Sequence, residues 1–138
     1  MSSLLTAVEI DALHQRATHA AHNSYSPYSH FRVGAAILLE TGETIAGANV
    51  ENASYRLTSC AEQAAIAAAV SLHGPAVRIR AVAVVNLNGA TCMPCGACRQ
   101  TILEFAGPDT AIFYPAEGTV VSTTLGELLP AAFRLLPE

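Results

Sequence analysis

The order helix, hairpin, helix, strand, helix, strands predicts a three-layer α/β fold. Two observations support that order. Segments with helical spacing alternate with short Val- and Ala-rich runs of strand length, and turn formers such as Gly74-Pro75, Asn88-Gly89 and Gly107-Pro108 separate them. A length of 138 residues suffices for one domain with a buried core, residues 1–138, and leaves no room for a second. No repeats or low-complexity tracts interrupt it.

Thr6-Ala7-Val8-Glu9 is a capping box, in which the hydroxyl and the carboxylate satisfy N–H groups that a helix start leaves unpaired. Ile10, Leu13, Ala17 and Ala20/Ala21 follow at helical spacing, so a first helix should run to about Asn23 before Ser24-Tyr25-Ser26-Pro27-Tyr28-Ser29 breaks it. Val33 to Leu39 is continuously apolar, Glu40-Thr41-Gly42-Glu43 turns the chain, and Thr44 to Val50 returns; this is a β-hairpin, with Asn49 to Thr58 as a polar loop after it. The Ala-rich segment from Cys60 to Leu72 is a second helix, ended by Gly74-Pro75. Ile79 to Leu87 is a buried strand stopped by Asn88-Gly89.

A third helix should start near Cys95, with Pro94 at its entrance, where a missing N–H is harmless, and stop at Gly107-Pro108. Thr110 to Tyr114 and Thr119 to Ser122 are short strands, and Leu125 to Leu129 is a brief final helix.

Composition narrows the function. The net charge is −4 and all seven basic residues are scattered Arg, which argues against a nucleic-acid partner, since phosphate backbones are held by Lys and Arg clusters. Without Lys there is neither Schiff-base nor P-loop chemistry. A hydrophobic fraction of 51% against 13% charged is most easily satisfied by burial between subunits, so a homo-oligomer is expected. Met1-Ser2-Ser3-Leu4-Leu5-Thr6 lacks a basic region followed by a long apolar run, and no stretch approaches the roughly 20 apolar residues that span a bilayer. The expectation is a cytoplasmic chain with no membrane partner. Three of the four Cys lie within Cys92-Met93-Pro94-Cys95-Gly96-Ala97-Cys98, a pattern of metal or catalytic thiols in a reducing compartment rather than of a disulfide framework.

The chemistry concentrates in Cys60-Ala61-Glu62 and Pro94-Cys95-Gly96-Ala97-Cys98. A catalytic zinc site needs three protein ligands and an open fourth position, and Cys60, Cys95 and Cys98 supply three thiolates. Glu62, two residues past the first, is placed to line the open position and to accept the proton of a water that zinc has made acidic. Both segments fall at predicted helix N-termini, where N–H groups and the helix dipole stabilise thiolates. The pattern matches the signature of zinc deaminases acting on cytosine and adenine bases.

With these motifs placed, the chain resembles the cytidine deaminases, specifically the small homotetrameric kind with three Cys ligands. The resemblance runs from about Tyr25 to Phe133. Beyond the zinc motifs it includes Tyr25 to Ala36, Gly47-Ala48-Asn49-Val50-Glu51-Asn52-Ala53-Ser54-Tyr55, the extension Arg99-Gln100, and Glu127 to Phe133. It implies an α/β/α sandwich with a mixed central sheet, one Zn2+ per subunit, and hydrolysis of cytidine and deoxycytidine to uridine and deoxyuridine with release of ammonia. It also implies that Phe31 packs against the pyrimidine, that Asn49 and Glu51 hold the ribose hydroxyl, and that the Ala61 N–H meets the base carbonyl. Tyr55 and Phe133 would reach a neighbouring subunit's site. Glu62 would pass its proton to N3 and then to the departing amine.

Two positions depart from the family pattern. Gln63 stands where Arg is common after the catalytic Glu, and three thiolates leave zinc formally at −1, so a nearby cation should restore its pull on water. Arg99, ahead of Arg56, is expected to hydrogen-bond a ligand thiolate for that purpose. Arg32 replaces the more usual Pro after Phe31, a change read as tolerated surface variation.

Plainer readings stand beside these. Ser59-Cys60-Ala61-Glu62 is itself a capping box with Glu62 as its carboxylate. Cys92 could close a structural four-Cys site, although three cysteines at successive i+3 positions crowd one metal; as a small apolar residue it would instead end a strand. Asn49 and Glu51 could be solvated, Phe31 and Phe133 core anchors, and His14, His19 and His22 surface residues. The rival functions are a blasticidin-S or other aminopyrimidine-nucleoside deaminase, a nucleic-acid deaminase, and a zinc-stabilised binding module without turnover.

Overall fold

Five strands form one mixed sheet in the computed structural model, which describes residues 5–135. They are β1 (Val33–Leu39), β2 (Thr44–Ala48), β3 (Ile79–Asn86), β4 (Ala111–Ala116) and β5 (Thr119–Thr124), in the spatial order β2-β1-β3-β4-β5. β3 and β4 run parallel, and the other neighbours are antiparallel. A parallel pair needs a crossover. Here it contains helix α3 (Gly96–Glu104), which carries Cys95 at its N-cap and Cys98 in its first turn and packs against α2 (Ala61–His73).

Helices cover both faces. On one, Leu13, Ala17 and Ala21 of α1 (Ala7–Ala21) pack on Ala36, Leu38, Ala83 and Val85. On the other, Ala65, Ile66 and Ala69 of α2 and Ile102 and Leu103 of α3 pack on Ala35, Ile37, Val82 and Val84, with Leu125 of α4 (Leu125–Leu128) at the border. Alternate residues of β1 and β3 thus enter two different cores. That is why β1 throughout and β3 from Ala81 to Val85 read as apolar runs rather than as polar alternations.

The layers sit close at two glycines. A Cβ on Gly34 would lie 2.0 Å from the Ala17 carbonyl oxygen, and one on Gly47 would lie 2.6 Å from the Ala65 nitrogen. α1 over β1 and α2 over β2 can approach this far because no side chain intervenes.

The predicted elements all form, with shifted ends. α1 stops at Ala21, and β2 stops at Ala48 because Val50 leaves the sheet to bridge Tyr25 and Ser59. The polar loop holds a 3₁₀ turn, Tyr55–Leu57, that no turn residue signals. β4 and β5 extend to Ala116 and Thr124 around a tight Glu117-Gly118 hairpin turn with φ of 51° and 80°. Pro115 concealed that extension, since proline is read as a strand breaker. Among the described residues, no helix is long and apolar enough to cross a membrane.

Candidate active site

Cys60 and Cys95 are the N-cap residues of α2 and α3, both with extended backbone, and Cys98 lies in the first turn of α3. Two helix starts therefore converge on one point. Among the described residues, the Sγ atoms of Cys60, Cys95 and Cys98 lie within 4.8 Å of one another, and those of Cys95 and Cys98 are 3.3 Å apart. Zn–S bonds of about 2.3 Å in tetrahedral array put sulfurs roughly 3.8 Å apart, so the cluster fits zinc with small adjustments.

The thiols share a proton unequally. A hydrogen bond with Cys98 holds the Cys60 thiol down at about 7, while the same contact, with burial, pushes Cys98 well above the usual thiol range. The Cys98 N–H also donates to Cys95 Sγ at 3.4 Å. Metal binding displaces thiol protons, and Cys60 gives up its proton more readily than Cys98.

Cys92 stands outside this group. It lies in the loop before α3, not at a strand end as expected, with its N–H on the Pro115 carbonyl at 3.1 Å. Burial, reinforced by the charge of Glu62, raises its thiol to about 11.

Glu62 is the second residue of α2 and only 4% exposed. Burial raises its carboxyl above the ordinary value, with its own backbone N–H and the Cys98 thiol pulling the other way. The capping-box reading moves by one residue: the cap is Cys60, and the Gln63 side-chain oxygen accepts the Cys60 N–H at 3.5 Å. Glu62 is thereby left to the cavity.

That cavity, of about 220 Å³, is lined by Phe31, Asn49, Glu62 and the three clustered thiols, with Ala61 in its wall. The Asn49 amide is committed to the protein: its Nδ2 donates to the Phe31 carbonyl at 2.8 Å, and its Oδ1 accepts the Val33 N–H at 3.0 Å and the Ser24 hydroxyl. Glu51 does not line this cavity. Its carboxylate is held by the Ser29 hydroxyl and the Tyr28 and Ser29 N–H groups, in a neighbouring depression that it shares with Tyr55. Tyr55 and Phe133 are 79% and 71% exposed, and neither reaches the thiols of its own chain.

Arg99 departs from expectation. Its guanidinium donates to the Pro94 and Leu128 carbonyls, both at 2.8 Å, and so ties the loop before Cys95 to α4 instead of meeting a thiolate. Arg56 is exposed in the 3₁₀ turn. Sequence reasoning missed Met93, a cavity-lining residue, and Ser29, which grips Glu51; a Met between Cys92 and Pro94 carries no signal of its own.

The family model for the cytidine and deoxycytidylate deaminase zinc-binding region matches residues 8–114, which takes in both cysteine segments and Glu62. The chain belongs to the cytidine deaminase family. It is 46% identical to a cytidine deaminase of Mycobacterium tuberculosis over 128 residues, covering 93% of this chain and 92% of that one. A crystal structure of cytidine deaminase from Mycobacterium tuberculosis superposes with a TM-score of 0.82 at 45% identity, over 92% of this chain and 98% of that one. A blasticidin-S deaminase of Bacillus cereus is 38% identical over 108 residues, 73% of this chain and 76% of that one. As in other cytidine deaminases the sheet is mixed and sandwiched between helices, and the cofactor is zinc.

Proposed function

We propose that the chain is a zinc-dependent cytidine deaminase that hydrolyses cytidine and deoxycytidine to uridine and deoxyuridine with release of ammonia. The reading rests on one juxtaposition: a carboxyl 4% exposed shares a cavity with three convergent thiols and an aromatic wall. Cys60, Cys95 and Cys98 hold the metal, which when bound supplies a Lewis acid that makes water acidic near neutral pH.

Glu62 accepts a proton from the attacking water, delivers it to N3 of the pyrimidine and then carries a proton to the departing amine. Water adds across the N3–C4 double bond, its second proton goes to the amine as the C4–N bond breaks and ammonia leaves, and the carboxyl ends each cycle as it began. Burial favours this role, because a carboxyl disfavoured in its charged form holds and returns a proton more readily than an exposed one. Phe31 packs against the base, and the Ala61 N–H at the start of α2 meets the base carbonyl. Asn49 reaches the ribose through the edge of its amide that remains, and Glu51 does so by releasing Ser29.

Exposure of Tyr55 and Phe133 supports completion of the site by neighbouring copies in a homotetramer. The four thiols are free, which supports a reducing, cytoplasmic location. Residues 1–138 act as one domain in this reading. Ammonia release from zinc-loaded protein should be followed with cytidine, deoxycytidine and blasticidin S in parallel. Turnover of the first two tenfold or more above the third upholds the proposal, and the reverse order assigns the chain to blasticidin-S deamination.

A further inference from the structure

Phe31 follows a strained link. His30 has φ of 60°, in the left-handed region that costs a residue with a side chain, and no glycine relieves it. The chain across Phe31 is nevertheless pinned at four consecutive groups. The His30 carbonyl accepts from Asn88 Nδ2 at 2.9 Å, the Phe31 N–H donates to Ser29 Oγ at 3.0 Å, the Phe31 carbonyl accepts from Asn49 Nδ2 at 2.8 Å, and the Arg32 N–H donates to Asn88 Oδ1 at 3.0 Å.

Asn88 supplies two of the four, one on each side of the aromatic residue. It can do so because its own turn is fixed. Asn86 Oδ1 accepts the N–H groups of Asn88 and Ala90, Asn86 Nδ2 donates to the Ala90 carbonyl, and Gly89 takes φ of 71° between them. The Leu87 N–H adds a backbone bond to the Arg32 carbonyl at 3.0 Å. An asparagine that the sequence presents only as the stop of a strand is thus a rigid clip on the segment that carries the cavity's aromatic wall.

Arg32 belongs to the same device and is not neutral variation. A proline there would have no N–H for Asn88, and the guanidinium of Arg32 also donates to the His22 carbonyl at the end of α1.

We propose that Asn88 is a positioning residue for substrate recognition: its carboxamide clips the backbone on both sides of Phe31 and thereby fixes the aromatic ring against which the pyrimidine packs. The inference rests on the reading of Phe31 as the base platform. It implies that Asn88 acts on binding of the nucleoside and not on the proton transfers, because the clip touches neither Glu62 nor the thiols.

The test is steady-state cytidine deamination by zinc-loaded Asn88→Ala, Asn88→Asp, Phe31→Ala and the Phe31→Ala/Asn88→Ala double variant, with amide hydrogen exchange at Arg32. Asn88→Ala should raise KM about three- to tenfold, with kcat within about twofold and zinc content unchanged. Asn88→Asp keeps the acceptor for Arg32 and loses the donor to His30, so its KM should fall between. In the Phe31→Ala background the Asn88 change should add nothing further, since both act through one ring. Exchange at the Arg32 N–H should quicken in Asn88→Ala. An unchanged KM in Asn88→Ala, where Phe31→Ala raises it, would overturn the proposal, as would full additivity. Unchanged Arg32 exchange would remove the clip itself. An unchanged KM in Phe31→Ala would instead remove the aromatic platform from the function reading, and the proposal with it.

Discussion

The Gln63 side chain, not that of Glu62, closes back on the N–H of Cys60, at 3.5 Å. One residue of register separates a cap from a catalytic carboxyl. Capping side chains of this kind contribute about 0.5–1 kcal/mol. Gln63→Ala should lower the unfolding free energy of the metal-free protein by about that amount, whereas Glu62→Gln should lower it by less or raise it, because it removes a buried carboxyl whose charged form is disfavoured there. Denaturant titration of the two variants distinguishes the assignments, and a larger loss in Glu62→Gln would return the cap to Glu62.

Arg99 bridges Pro94 and Leu128 through two separate nitrogens of one guanidinium. A lysine ammonium on a flexible stem does not reproduce that fork. Both Arg99→Ala and Arg99→Lys should therefore release zinc to a chromogenic chelator about tenfold faster than wild type, as loss of a group that orients a ligand typically does. Full rescue by Lys would mean that Arg99 acts through its charge on the thiolates.

Gly47 lies where α2 rests on β2. An added Cβ would meet the Ala65 nitrogen at 2.6 Å and the Ala61 carbonyl oxygen at 2.9 Å, both backbone atoms that cannot rotate away. Gly47→Ala should cost about 1–3 kcal/mol and weaken zinc retention, since the displaced helix carries Cys60. Gly96, beside two of the thiols, has nothing within 4 Å of its Cβ position, so Gly96→Ala should fold as wild type by calorimetry and keep its metal.

Legibility followed the range of the interactions. The capping box at Thr6 and Glu9 and the run from Val33 to Leu39 are local, and the structure returns them as read. The convergence of Cys60 with Cys95 and Cys98 is not local, but helix-start signals at both segments and a thiol pattern suited to one metal made it readable. Partners of flexible polar side chains were not readable. Arg99 chose two backbone carbonyls over a thiolate, Glu51 took Ser29 and its neighbours outside the thiol cavity, and Asn88 reached back across more than fifty residues of chain to His30 and Arg32. Nothing in residue type or spacing distinguishes those choices before the fold brings the groups together.

The Glu9 carboxyl is held below the ordinary carboxylate value, first by the Thr6 N–H and then by Arg80. A carboxyl depressed by folding stabilises the native state above its unfolded value, and that contribution is lost as the pH falls through the lower folded value. Thermal melts of wild type and Glu9→Gln should differ by a constant amount near neutrality and converge on acidification. A gap that widens in acid would contradict the assigned cap.

The most direct test of the account is single-substrate turnover of cytidine by zinc-replete wild type and zinc-replete Glu62→Gln, with uridine and ammonia both quantified. Stoichiometric uridine and ammonia are expected from wild type, with a loss of about 10²-fold or more in kcat for Glu62→Gln at equal zinc content. Equal turnover by both proteins would contradict Glu62 as the proton carrier, and no uridine from zinc-replete wild type would contradict the deaminase assignment itself.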